Sequence, residues 1–165
     1  DSGYYPLMMT QNVPYKEYLK SKWWLIVVGT LVSIPLASFY IFFSWESYLA
    51  IIAGGIYNIG INAYMVLLSG AYTRTPIDLN SMQRAFGDKK SFNVKTLLLS
   101  IPKILLPMFI FYIGVLVHSK LMGFVLIGIV GILGFALRNL VFGWIEKVYQ
   151  EEKYNTIAAY KQKNT

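Results

Sequence analysis

Few residues in this chain have types and spacing suited to chemistry, and those few sit in unusual surroundings. Asn58 and Asn62 are four residues apart inside a run without a single charge, and Gly54 lies one turn earlier on the same helical face. An amide exposed to lipid is costly. This face therefore has either to meet another helix through hydrogen bonds and close backbone approach, or to border a polar route. Lys103 and Arg138 are the ionised side chains within otherwise apolar runs. An ionisable residue at membrane depth calls for a functional reading, such as substrate contact or gating. Both also lie within reach of the nearer interface, where a long side chain can extend its charged head to water.

Other chemistry is missing. The chain has no cysteine and one histidine, His118, which falls in a short turn. The eight acids lie outside or at the edges of the apolar runs, and no two of them pair within one. No metal site, no cofactor site and no catalytic group is expected. Glycine is never followed by lysine, so the phosphate-binding loop GxxxxGK is absent. A membrane enzyme acting on lipid would need acids or a histidine converging at one depth, so no enzymatic activity is expected.

The elements that must position these residues follow from composition. Of 165 residues, 56% are hydrophobic and only 14% charged, against about 25% charged in an ordinary soluble domain. Mean hydropathy is +0.49. Four charge-poor runs stand out: Trp23–Phe43, Tyr48–Ala71, Thr96–Val117 and Leu121–Ile145. Each is long enough to cross a hydrocarbon core as about 20 helical residues. The expected fold is all-α and polytopic. Ser44–Ser47 and His118–Lys120 are tight turns that make two hairpins, and Tyr72–Lys95 is a long polar link. Pro35, Pro102 and Pro107 are candidate kinks. Gly123, Gly128, Gly131, Gly134 and Gly143 mark span four for close packing.

The net charge of +7 is distributed unevenly. Lys16, Lys20 and Lys22 precede span one. Arg74, Arg84, Lys89, Lys90 and Lys95 occupy the long link. Lys147, Lys153, Lys161 and Lys163 follow span four, and the short turns hold only Lys120. This asymmetry predicts both termini and the link in the cytoplasm, and reports orientation in a bilayer rather than nucleic-acid binding. The domain plan is then a cytoplasmic segment 1–22, a membrane region 23–145 and a cytoplasmic tail 146–165 that prolongs span four as a polar helix.

Within the leading segment, Asn12 and Pro14 suit a helix start. Tyr15, Tyr18 and Leu19 form an apolar stripe, with Lys16, Glu17, Lys20 and Ser21 mostly off it. This pattern predicts an interfacial helix lying on the cytoplasmic face, with Trp23 and Trp24 at headgroup level. It serves either as a plain anchor or as a docking element for a cytoplasmic partner.

The stretch LMMTQNVPYKEYLKSKWW resembles the segment of type-2 ATP-binding-cassette (ABC) permeases in which a short cytoplasmic helix precedes a membrane span; Thr10, Pro14, Glu17, Tyr18, Leu19 and Lys22 match in order. TPIDLNSMQRAFG is similar to a cytoplasmic stretch in an uncharacterised bacterial branch of such permeases, through Asp78, Leu79, Asn80, Phe86 and Gly87. The resemblance implies the C-terminal membrane portion of an exporter in the bacterial inner membrane. A separate ATP-binding subunit would drive it, and a second permease half would complete it. It implies coupling to the ATPase through Pro14, Tyr15, Glu17, Tyr18, Leu19 and Lys22, and a pathway beside Gly54, Asn58 and Asn62. The first residue, Asp1, suits a piece of a longer chain, since four spans are fewer than a full membrane half of that family carries. A non-transporting scaffold or assembly protein of the same fold is the alternative.

Overall fold

The computed structural model describes residues 14–72 and 94–162. Thr10, Asn12 and the link stretch from Asp78 to Gly87 lie outside the described residues. Within them every regular element is helical. In chain order these are α1 (Tyr15–Leu36), a 3-10 segment (Ala37–Phe42), α2 (Trp45–Tyr57), a π-helical segment (Asn58–Asn62), α3 (Ala63–Tyr72), α4 (Val94–Val117), α5 (Lys120–Ala136) and α6 (Arg138–Gln162). Three stretches are long and apolar enough to cross a membrane: Tyr15–Phe42, Trp45–Tyr72 and Ser100–Val117. The count is four if α5 and the first part of α6, bent by 67° at Leu137, form one broken span.

The helix starts follow local chemistry. Pro14 precedes the first turn of α1, and its carbonyl accepts from the Glu17 and Tyr18 amides at 3.0 and 3.3 Å, as suits a proline whose missing N–H costs nothing there. The Ser44 side chain caps α2 by accepting from the Ser47 amide, and Ser119 caps α5 by accepting from Met122. Both expected turns are thus shorter than their sequence boundaries, with helix resuming at Trp45 and Lys120.

No break in the helix falls at the expected boundary at Trp23: Tyr15–Leu36 is one unbroken helix. The reason is the spacing of Tyr15, Leu19, Trp23 and Val27. They recur every fourth residue, and all four are buried in one cluster with Ala63, Tyr64, Leu67 and Ala71 of α3 and Phe142, Ile145, Val148 and Tyr149 of α6. The stripe faces protein, and the segment before Trp23 is the first two turns of the same helix that continues through it. Tyr18, expected on the stripe, only packs against its margin.

Rings tie the cluster together. Phe142 meets Trp23 edge-on at 6.0 Å and Tyr64 edge-on at 5.5 Å. The Tyr149 hydroxyl donates to the Leu67 carbonyl at 2.9 Å. Lys16, Lys20, Lys22, Lys147 and Lys153 therefore gather at one end of the bundle, beside this cluster.

Elsewhere the helices meet backbone to backbone. A Cβ on Gly60 would collide with the carbonyl of Gly131, and one on Gly114 with the backbone of Gly123. Only hydrogen at these positions lets α5 lie against the π-helical segment on one side and α4 on the other. Pro102 and Pro107 sit within an uninterrupted α4. Pro35, by contrast, is followed directly by the change from α to 3-10 geometry at Ala37.

Candidate functional site: a polar cleft among apolar helices

The polar side chains of the spans converge. Thr30 and Ser33 return their hydroxyls to their own helix, donating to Ile26 O at 2.8 Å and Gly29 O at 2.7 Å. Such back-bonding satisfies a hydroxyl where water is scarce. Thr30 also accepts from Asn58 Nδ2 at 2.7 Å, and Asn58 Oδ1 accepts from Asn62 Nδ2 at 2.6 Å. A hydrogen-bonded chain thus runs from Asn62 through Asn58 and Thr30 to the backbone of α1.

Asn58 and Asn62 bound the π-helical segment. The widened turn adds a residue to that stretch of helix, a distortion often found at functional sites. It occurs where Gly60 abuts α5. Close packing on one side of this turn and the amide ladder on the other belong to a single local distortion.

These residues line an open cleft of about 640 Å³ between α1, α2 with the π-helical segment, and α4. Gly29 and Gly54 leave room in its wall, since nothing lies within 4 Å of a Cβ built on either. Ile26, Gly55, Tyr57 and Pro107 complete it. Lys103 of α4 also lines the cleft, and its ammonium donates to Ser69 Oγ of α3, outside the lining, at 2.8 Å. The structure therefore brings Gly54, Asn58 and Asn62 together with Lys103, which the sequence alone gave no reason to join to them.

Arg138 is elsewhere. It is the first residue after the 67° bend, and its guanidinium stacks over the Phe135 ring at 5.0 Å. The proposed coupling residues are separate again. Tyr15 and Leu19 are core, while Pro14, Lys16, Glu17 and Lys20 are exposed. Lys22 lies over the Tyr18 ring at 4.4 Å.

Thr30, Ser33 and Tyr57 are cleft residues not singled out from sequence. The signal for the first two was a pair of hydroxyls three residues apart in a charge-free run, hence on one face. Among the described residues no three His, Cys, Asp or Glu side chains gather as a metal site.

Fold and cleft define the class: among the described residues, an all-helical arrangement with three to four helices fit to cross a membrane and a polar cleft between them. Residues 1–163 match the family described as a family of unknown function, DUF5687, and the chain belongs to it. No curated protein and no solved structure matches the chain.

Proposed function

We propose that the chain is the membrane-spanning permease part of an ABC-type exporter of the bacterial inner membrane, driven by a separate ATPase subunit and completed by a second permease half. The observation that carries this reading is the polar cleft. A ladder of amides and hydroxyls, with a lysine, lies among helices otherwise fit only for lipid. Four spans in two hairpins, with α5 and α6 as a broken fourth, and a cytoplasmic lysine-rich end complete the proposal.

The unbroken α1 gives a route for coupling. An ATPase bound at the exposed face of Lys16, Glu17 and Lys20 would push the helix that, about 15–21 Å further along at the α-helical rise, holds Asn58 through Thr30. No hinge between these points absorbs the motion, because the helix is continuous. A non-transporting membrane scaffold is the second reading. The backbone contacts of Gly60 with Gly131 and of Gly114 with Gly123 favour it, because they suit a fixed bundle.

The test is purification of the tagged full chain from its own membranes in mild detergent. An ATP-hydrolysing subunit should accompany it, and the charge reversal K16E/K20E should release that subunit while membrane insertion persists. Full retention of the ATPase by K16E/K20E would sink the coupling role. Absence of any ATP-hydrolysing partner, even after cross-linking, would favour the scaffold.

A further inference from the structure

We infer that the cleft takes the anionic headgroup of a lipid-like amphiphile, held by Lys103, with its chain along the apolar wall. The inference rests on the permease reading and names the substrate class for its pathway.

Three observations carry it. The first is charge. Among the described residues that line the cleft, Lys103 is the one charged side chain, and no acid joins it there. Its hydrogen bond goes to Ser69, a neutral partner. A cation drawn into a low-dielectric site without a counter-ion is costly, and an anion arriving beside it offsets that cost. Carboxylate and phosphate are the anions an ammonium binds through short, charge-assisted hydrogen bonds.

The second is unmet hydrogen bonding. The Tyr57 hydroxyl and Asn62 Oδ1 are buried with no hydrogen-bond partner among the described residues, and both residues line the cleft. Buried polar atoms are ordinarily paired. Tyr57 can donate to a headgroup oxygen, and Asn62 Oδ1 can accept from a hydroxyl or amide of the same headgroup.

The third is shape and wall. The volume of about 640 Å³ lies within the ~300–1,000 Å³ of small-molecule sites. Ile26, Pro107 and the open glycine positions give an apolar side, and the cleft is open rather than enclosed. It lies between helices whose outward faces are apolar and exposed, such as Val28 on α1 and Ile104 on α4. A chain can therefore remain in the bilayer while the headgroup enters.

Native mass spectrometry of the detergent-solubilised full chain tests this with five probes. Oleate and oleoyl lysophosphatidate carry the two anionic headgroups, monoolein carries the same chain without charge, and acetate and inorganic phosphate carry the charge without a chain. At least one anionic amphiphile should bind about tenfold or more tightly than monoolein, and which of the two binds better identifies the headgroup. K103Q should remove that preference and K103R restore it. G54L, which adds bulk where there is open space, should weaken both chain-bearing anions. Equal binding of monoolein, or full displacement by acetate or phosphate at matched concentration, would overturn the proposal. So would wild-type binding by either K103Q or G54L, and G54L decides the matter if K103Q fails to fold. Binding is read on the chain without an ATPase, so loss of ATPase association and loss of amphiphile binding are separate results.

Discussion

Asn62 donates its side-chain amide to Asn58 Oδ1 at 2.6 Å, across the one π-helical turn among the described residues. Asn58 in turn donates to Thr30 at 2.7 Å. The pair makes a ladder within its own helix and one rung to α1, so its worth is both local and interhelical. Hydrogen bonds between membrane helices are worth about 0.6 kcal/mol on average and up to ~1.7. Asn58→Leu should destabilise by that order. Thr30→Val combined with it should cost less than the two changes summed, because the shared rung is lost only once. Unfolding in mixed micelles with rising dodecyl sulfate measures the cycle, and strict additivity would show that the rung contributes nothing.

The glycines divide sharply by what faces them. Gly60→Ala and Gly131→Ala place a Cβ against backbone, Gly131 O in the first case and the Ile56–Tyr57 peptide in the second. Backbone gives way less readily than a side-chain end, so each should cost ~1–3 kcal/mol or more and reduce folded yield. Gly128→Ala and Gly143→Ala meet nothing within 4 Å. They should be neutral or stabilise by ~0.5–1 kcal/mol through helix propensity. Equal effects in the two sets would mean that α5 does not approach the π-helical turn as described.

Leu19 and Leu25 test which way α1 faces. Leu19 is fully buried and Leu25 is 77% exposed. Leu19→Ala should destabilise by ~2–5 kcal/mol, and Leu25→Ala by less than ~0.5. Were the segment before Trp23 lying flat on a membrane, the Leu19 change would leave the stability of the bundle almost untouched.

Tyr149→Phe isolates one tether between α6 and α3. The variant keeps the ring contacts with Tyr15 and Tyr18 at 6.0 and 6.3 Å and loses the hydrogen bond to Leu67 O. A loss of about 0.5–1.5 kcal/mol is expected, read by the same micelle titration.

How far the sequence carried can be judged residue by residue. The helices were legible because charge-free runs of that length have one stable backbone solution in lipid. Ser44 and Ser119 appeared as turns and act as caps. The face of Gly54, Asn58 and Asn62 was legible from helical spacing alone. What stayed hidden depended on a second helix. Tyr15, Leu19 and Trp23 look like an interfacial stripe until Ile145 and Tyr149 are placed against them, and those residues are more than a hundred positions away. Lys103 joins the asparagine face only because α4 packs in one particular register, which no single run encodes. The bend at Leu137 has no proline to announce it. It falls where α5 leaves its close contact with the π-helical turn and α6 begins its packing on α1 and α3.

The permease account depends first on where the lysine-rich end lies, since an ATPase can act only from the cytoplasm. Single cysteines at Ser47 and Lys20, both exposed and both in a chain with no native cysteine, can be probed with a membrane-impermeant maleimide in spheroplasts. The account expects Ser47→Cys to label in intact spheroplasts and Lys20→Cys only after permeabilisation. Labelling of Lys20→Cys from outside intact spheroplasts would contradict it.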